Sequence, residues 1–511
     1  MHFQRYAPLG ICIAWAIQVK GFVTVRRHLH PTLLRNLSET AVLSIETQET
    51  LQEMATDALL PVLYQEPQKT MIRPEKALKK LLRRYQSSLE KDTETTTTLE
   101  ERQATRKYLS NLVLGTSVLR LRYFYLLQES VGHLEPIFGW EETVEAPDLD
   151  PRMSQHEIVH QIVQLHAQSL QEEVVPSFPI PITVESIAWY HSLPSFLSQR
   201  LVQQYGLETA EALASHCNEP GPITLRRNAI QCPSDDMLTE RLLNEDSLHV
   251  FRLNSLSKSE DGDTSIPVPE GCLRVSSPQE RNKSIWSLQA WNDGWFEVQD
   301  VGSQVIVDAM DVSPGETIVD FCAGNGGKTL AIASRVLIGT EEGGEMSRII
   351  AHDVSLDRLS RLRGSLGRAG VSPGAITTTI DPHYLVESAD VVLVDVPCSS
   401  SGTLRRSPSH RFELTDEEIV DHFPKLQLEI LNQAARSTKI GGRLVYSTCS
   451  ILNFENEQVV DAFESSPGFE KWKRWSFHES CDSCERPHCR ALLPSSHESD
   501  GFFIARWIRV E

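Results

Sequence analysis

The chain has 511 residues, 40% of them hydrophobic and 23% charged, with a formal net charge of −20. That length suits roughly two to four domains with sizeable cores, and the acidic balance excludes a broadly basic nucleic-acid-binding surface, so any such contact must be a local basic patch. Ten cysteines in 511 residues do not form a disulfide framework and fit a reducing compartment, and no apolar run is long enough to span a membrane.

Residues 1–38 contain no Asp or Glu but carry Arg5, Lys20, Arg26, Arg27 and Arg35, with an apolar piece at Leu9–Ile17. An acid-poor, basic start is the composition of an organelle targeting segment, for a plastid or mitochondrion. An ordinary N-terminal helix with a basic flank, in a protein of the cytoplasm or nucleus, is the alternative. Residues 40–175 read as all-helical. Lys76–Tyr85 is basic and amphipathic, with Ala77, Leu78, Leu81 and Leu82 on one side. A Thr/Glu run at 92–98 predicts a loop, and Tyr108, Leu109, Leu112, Val113, Val118, Leu119 and Tyr123 recur at helical intervals. The pattern predicts a small helical bundle, whose basic positions are either a solvated face or phosphate contacts.

Residues 186–294 change character. Helical pieces at Ser195–Tyr205 and Glu208–His216 precede the turn cluster Asn218–Pro222, a strand at Ile223–Asn228, a helix at Asp236–Asn244 and a polar loop at Ser255–Thr264. This mixture predicts a small α+β sheet domain. Arg226 and Arg227 on its strand either bind phosphate or lie on an exposed face.

Residues 295–511 alternate strand and helix, which predicts an α/β domain with a mostly parallel sheet covered on both faces. Thr317–Phe321 reads as a buried strand that breaks into Cys322-Ala323-Gly324-Asn325-Gly326-Gly327, after which Lys328–Val336 resumes with helical spacing. Strand, glycine loop and helix form the nucleotide-binding turn of a doubly wound sheet: glycines let the backbone approach a ligand, and the helix start offers free N–H groups. Asp353 ends the next strand, where a carboxylate accepts from ribose hydroxyls, its offset lengthened by the polar loop Gly339–Ser347. Two further buried strands end in Asp395-Val396-Pro397-Cys398 and Thr448-Cys449-Ser450. The carboxyl ends of parallel strands form one crevice edge, so the glycine loop, Asp353, Asp395, Cys398 and Cys449 converge on a single pocket. A lone cysteine after a strand is usually an inert buried thiol; two beside a carboxylate at a nucleotide turn are not.

These stretches resemble the RsmB/Nop/Sun family of RNA (cytosine-5) methyltransferases. The resemblance rests on Asp320–Thr329 (DFCAGNGGKT), Asp353, Asp395–Pro408 (DVPCSSSGTLRRSP), Leu426–Leu431 (LQLEIL), Gly441–Glu457 (GGRLVYSTCSILNFENE) and Asp500–Ala505 (DGFFIA). Asn218–Asn228 and Trp295–Gln304 also match. The match covers about residues 190–510, with weaker likeness back to Arg73. Two departures stand out. The loop reads CAGNGGK where the common form is CAAPGGK, with Asn325 tolerating a positive φ. After Cys398 the chain reads Ser-Ser-Ser-Gly rather than Ser-Gly-Thr-Gly.

The resemblance implies a Rossmann-like methyltransferase domain, preceded by a small RNA-recognition-like domain and a helical NusB-like domain. It implies S-adenosylmethionine as methyl donor and an RNA substrate, ribosomal RNA ahead of transfer RNA, for a monomer without a membrane partner. By the same resemblance Cys449 is the attacking thiolate and Cys398 assists release of the adduct. Cys322, Ala323, Gly324, Asn325, Gly326, Gly327 and Lys328 cradle the cofactor, Asp353 holds its ribose and Asp381 lies on the adenine side. Asp395 contacts the cytosine edge or the methionine part. Arg405, Arg406 and Arg411, with Arg226 and Arg227, are the candidate phosphate contacts. The competing readings are a transfer RNA or DNA cytosine methyltransferase and an inactive RNA-binding assembly factor. Cys481, Cys484 and Cys489, with His478 and His488, have a weak metal-like spacing in which surface thiols are the simpler reading; no metal site is expected.

Overall fold

The computed structural model describes residues 43, 45–64, 73–91, 98–131, 153–172, 182–253, 255–256, 266–276, 284–338, 347–477 and 486–511. The targeting segment expected at 1–38 lies outside the described residues, as do most of the loops expected at 92–98, 255–264 and 339–347. No described helix is long and apolar enough to cross a membrane. Packing divides the chain into two units, one of residues 1–218 with Ser407–Glu413, the other of Glu219–Arg406 with Leu414–Glu511.

In the first unit the described helices are α1 (Ile45–Leu63), α2 (Pro74–Lys91), α3 (Leu99–Ser110), α4 (Arg120–Val131), α5 (Gln155–Glu172), α6 (Val184–His191) and α7 (Ser195–His216). α3 begins at a reciprocal cap, the Thr98 hydroxyl accepting from Glu101 N–H and the Glu101 carboxylate accepting from Thr98 N–H. Except for Val118, the apolar positions read from the sequence for this bundle join one core, Leu78, Leu81, Tyr108 and Leu112 among them, with Leu59, Phe124 and Ile162. α6 and α7, expected to open the second domain, pack here instead. Tyr125 of α4 stacks on Trp189 of α6 at 4.1 Å, and Arg122 Nε donates to Tyr190 O at 2.6 Å. Arg411, expected to meet phosphate, is fully buried in this unit. It donates to Cys217 O (2.8 Å), Asn218 Oδ1 (2.9 Å) and His191 O (3.1 Å), which leaves no guanidinium edge for RNA.

The second unit holds two main sheets and a two-stranded one that pairs Ser255–Leu256 with Ile266–Pro267. The smaller main sheet is antiparallel, with strands β1 (Thr224–Arg227), β2 (Val250–Arg252), β3 (Cys272–Val275) and β4 (Phe296–Val298) in the order β2-β3-β1-β4. Helix α8 (Asp235–Asp246) covers it through Leu238 and Leu242. β4 lies past the boundary expected at residue 294, and the small sheet shares a unit with the large one. Arg226 and Arg227 are buried on the central strand, neither exposed nor free for phosphate. Arg226 donates to Gln299 Oε1 and Gly327 O, both at 3.0 Å, and Arg227 to Asp235 Oδ1 (2.6 Å) and Glu270 Oε1 (2.8 Å).

The larger sheet has eight strands: β5 (Thr317–Asp320), β6 (Arg348–His352), β7 (Ile376–Thr379), β8 (Ala389–Asp395), β9 (Thr438–Thr448), β10 (Trp472–Arg474), β11 (Cys489–Leu492) and β12 (Phe502–Arg509). The main order is β10-β12-β9-β8-β5-β6-β7, with β11 pairing β12. β5 to β9 are parallel, and β12 turns antiparallel against β9. Helices α9 (Val301–Asp308), α10 (Gly327–Val336), α11 (Leu356–Arg368), α12 (Phe423–Ala435) and α13 (Glu457–Glu464) cover both faces. β8 shows why its sequence is an unbroken apolar run. Val391 and Leu393 enter the core with Ile332 and Leu359, while Val392 and Val394 enter the opposite core with Leu431 and Val460. β6 and β7 extend to one side of β5 and β8 returns to its other side, so the topological switch point lies between β5 and β8.

Candidate active site

At the switch point the chain leaves β5 through Phe321–Gly326 and enters α10. Gly324 and Gly326 take φ of 56° and 90°, the left-handed region where a Cβ is penalised. At Gly326 a Cβ would also meet Leu362 Cδ1 at 2.2 Å, whereas at Gly324 it would find only Cys322 O, at 3.9 Å. The loop therefore packs closely beneath and is open above. Asn325 does not carry the positive φ that its sequence position invited; the two glycines do. Gly324 N donates to Asp353 Oδ2 (2.9 Å) and Ser355 N to Asp353 Oδ1 (2.8 Å). The buried Asp353 thus fixes the glycine loop to the end of β6. Asp381 caps His383 N–H at 2.9 Å after β7. Val354 and Tyr384, 84% and 82% exposed, and Ile380, 49% exposed, flank these two carboxylates. An open glycine cradle beside two acids and exposed apolar side chains fits an adenosyl group.

Beneath the cradle Asp320 is buried, with Oδ2 accepting from Thr329 Oγ1 at 2.6 Å and Oδ1 unpartnered. Burial pushes its carboxyl up to about 7, helped by the charge of Asp395. Lys328 Nζ bonds Asp395 Oδ2 at 2.6 Å, and Ser447 Oγ donates to Asp395 Oδ1 at 2.9 Å. Burial alone lowers the Lys328 ammonium, but the charge and hydrogen bond of Asp395 outweigh it and the net shift is upward. Asp395 is thereby fixed in place at the end of β8.

Cys398 follows β8 and Cys449 follows β9, and their sulfurs are 3.2 Å apart as free thiols. The hydrogen bond between them acts in opposite directions on the two. It pulls Cys449 below the ordinary thiol value, with a second contribution from the Ser400 hydroxyl 3.4 Å away and against the cost of burial. It pushes Cys398 well up, as do burial and the carboxylate of Glu455. Cys449 is the sulfur that ionises first. Cys322, half-buried near Asp320 and Asp395, is pushed well up by desolvation and by their charges.

The two cysteine loops are joined by residues that sequence reasoning placed within motifs but assigned no role. Glu455, fully buried, accepts from Ser399 N (2.8 Å), Ser399 Oγ (2.5 Å), Ser450 Oγ (2.6 Å) and Gln427 Nε2 (3.0 Å). Burial raises its carboxyl, and these donors oppose that rise. Gln427 also reaches Pro397 O at 3.0 Å, and Gly402 N donates to Cys449 O at 3.0 Å. Gly402 and Gly501 cross so closely that a Cβ on Gly402 would meet Gly501 O at 2.4 Å. A Glu just after the Cys449 loop and a Gln on the apolar face of α12, both polar residues at buried positions, are the signal that could have marked this support.

Arg405 and Arg406 are not free for phosphate. Arg405 Nε bonds Asp500 Oδ1 (2.5 Å) and Arg406 Nε bonds Asp500 Oδ2 (2.8 Å), while Arg406 also reaches Asp300 Oδ2 (3.0 Å). Cys481, Cys484 and His478 lie outside the described residues. Cys489 sits in β11, and His488 Nε2 lies 2.8 Å from Glu464 Oε1.

A sheet that switches direction beside a glycine loop, with acids ending the neighbouring strands, defines a Rossmann-like methyltransferase. A family model described as 16S rRNA methyltransferase RsmB/F matches residues 307–508. A probable ribosomal RNA small subunit methyltransferase B of Synechocystis sp. is 31% identical over 330 residues, 63% of this chain and 67% of that protein. The ribosomal RNA small subunit methyltransferase B of Escherichia coli (strain K12) is 29% identical over 391 residues, 75% of this chain and 80% of that protein. The crystal structure of NSun6 from Pyrococcus horikoshii with SFG shares the fold at a TM-score of 0.51 and 23% identity, over 63% of this chain and 99% of that one. The chain belongs to the RsmB/Nop/Sun family of ribosomal RNA methyltransferases, whose methyl donor is S-adenosylmethionine.

Proposed function

We propose that the protein methylates C5 of a cytosine in ribosomal RNA through a covalent adduct on Cys449. The observation that carries this reading is the pair of sulfurs 3.2 Å apart, one shifted toward thiolate and the other toward thiol. Cytosine C5 is a weak nucleophile. Addition of the Cys449 thiolate to C6 makes C5 enamine-like, and splits one difficult step into easier ones. S-Adenosylmethionine, held by Cys322–Lys328 with Asp353 at its ribose and Asp381 on its adenine side, supplies the methyl group. Asp395, oriented by Lys328 and Ser447, meets the cytosine edge or the methionine end of the cofactor. Cys398 keeps its proton while Cys449 attacks; after methyl transfer a base, water included, takes the C5 proton, the C6–S bond breaks and Cys449 leaves as thiolate, a departure that the adjacent Cys398 thiol assists by hydrogen bonding to it. A base within folded RNA must be unstacked to enter such a pocket.

The test is a denaturing gel with labelled RNA and cofactor. Cys449→Ala should abolish turnover and form no crosslink, whereas Cys398→Ala should trap a protein–RNA adduct that survives denaturation. A crosslink from Cys449→Ala but not from Cys398→Ala reverses the two roles and moves the chemistry toward the DNA type. Activity intact in both variants, with a crosslink from neither, leaves the covalent mechanism without support.

A further inference from the structure

We propose that Ser400 is a positioning residue for the attacking sulfur, its hydroxyl held against Cys449 by a left-handed backbone. The proposal deepens the reading of Cys449 as nucleophile and rests on it for any effect on turnover.

Ser400 stands where the common loop form has glycine. It adopts φ 55° and ψ 24°, a region that glycine enters freely and residues with a Cβ enter only under steric strain. Serine thus occupies a site whose backbone favours glycine, and the only side-chain group it adds is a hydroxyl. That hydroxyl lies 3.4 Å from Cys449 Sγ. Its neighbours are committed elsewhere: Ser399 Oγ donates to Glu455, and Ser401 Oγ pairs with Ser450 Oγ at 2.9 Å. The Ser400 carbonyl accepts from Thr403 N (2.9 Å) and Thr403 Oγ1 (3.1 Å), which locks the turn. The turn is therefore fixed by the backbone, and the hydroxyl is left to face the sulfur.

In the thiol form Cys449 Sγ donates to the Ser400 hydroxyl; once the sulfur is ionised it can only accept, and the rotatable Ser400 hydroxyl and the Cys398 thiol are the two donors placed to meet it. Donors to a sulfur favour its ionised form. Lys328 on α10 adds in the same direction, and Asp395 at the end of β8 opposes it. Glu455 acts on the Cys398 side of the pair.

The experiment compares the full-length protein with Ser400→Gly and Ser400→Ala. Alkylation of Cys449 by iodoacetamide is followed by mass spectrometry of its peptide across pH, alongside the melting temperature. Ser400→Gly should melt at or above the parent temperature, because backbone strain is relieved. Both variants should nonetheless alkylate Cys449 roughly three- to tenfold more slowly on the acid side of the parent midpoint, the size of one weak hydrogen bond to an ionised group. An alkylation profile in Ser400→Gly that superimposes on the parent overturns the proposal and leaves Ser400 as tolerated strain. A shift in Ser400→Ala alone also overturns it, since the cause would then be the backbone. Because alkylation is read without methyl transfer, a Cys449→Ala variant that still turns over would defeat the nucleophile reading while leaving this measurement standing.

Discussion

Two sulfurs 3.2 Å apart cannot both ionise at neutral pH, because the second thiolate would form against the charge of the first. The pair therefore divides into an acceptor, Cys449, and a donor, Cys398, and their macroscopic ionisations separate. On the proposed mechanism attack requires Cys449 as thiolate, so turnover should fall as pH drops through its lowered ionisation. On the same mechanism a base takes the C5 proton and Cys449 leaves as thiolate toward the Cys398 thiol, so the working window extends up toward the raised ionisation of Cys398. Replacing the donor in Cys398→Ala should move the acid limb of single-turnover adduct formation to higher pH. An unchanged acid limb would show that the sulfur contact does not set the Cys449 ionisation. At this scale the sequence was legible for the cysteines and for Asp395, because their residue types announce their chemistry. It was silent on Glu455, whose four partners come from three separate stretches.

The glycine loop is the element whose form was readable in advance, since a buried strand, a glycine cluster and a helical pattern follow one another along the chain. Its anchoring was not. Asp353 was expected to face ribose, and its carboxylate also ties Gly324 and Ser355 to the end of β6. Loss of that carboxylate should weaken S-adenosylmethionine binding both by releasing the loop and by removing an acceptor. Asp353→Ala should cost about 1.5–3 kcal/mol in affinity by calorimetry, the value of hydrogen bonds to a charged group. Gly326→Ala should be as harmful with no polar contact removed, because φ of 90° and a 2.2 Å approach to Leu362 forbid the added methyl. Normal affinity in both variants would detach the loop from the cofactor. β1 shows the opposite failure of reading. Two arginines on a short strand look solvated, yet β1 is central and buried along its length, and its partners Gln299, Gly327 and Glu270 lie far along the chain.

Across the whole molecule the charge of −20 sharpens the question of how RNA is held, because every arginine first assigned to phosphate is engaged within the protein. Arg405 and Arg406 are held by Asp500 and Asp300, and Arg411 by backbone carbonyls. These pairings span roughly a hundred to two hundred positions of sequence, so local pattern could not disclose them. α2 offers a different set. Its Ala77, Leu78 and Leu81 are buried, while Lys76, Lys79, Lys80, Arg83 and Arg84 are exposed at helical spacing on the other side. None of these five has an ion-pair partner among the described residues. A stripe of unpaired cations on an acidic protein is the local patch that RNA phosphates require. Replacing Lys79, Lys80, Arg83 and Arg84 together by Gln should leave the fold intact, since all four are solvated, and should weaken RNA binding similarly for different sequences. The slope of log affinity against log salt should shrink by roughly 0.7–0.9 for each phosphate that the variant no longer neutralises. Filter binding of ribosomal RNA fragments across a salt series measures it, with circular dichroism as the check on folding. A folded variant with the parent slope would return α2 to an ordinary solvated face and require RNA to be held without this stripe.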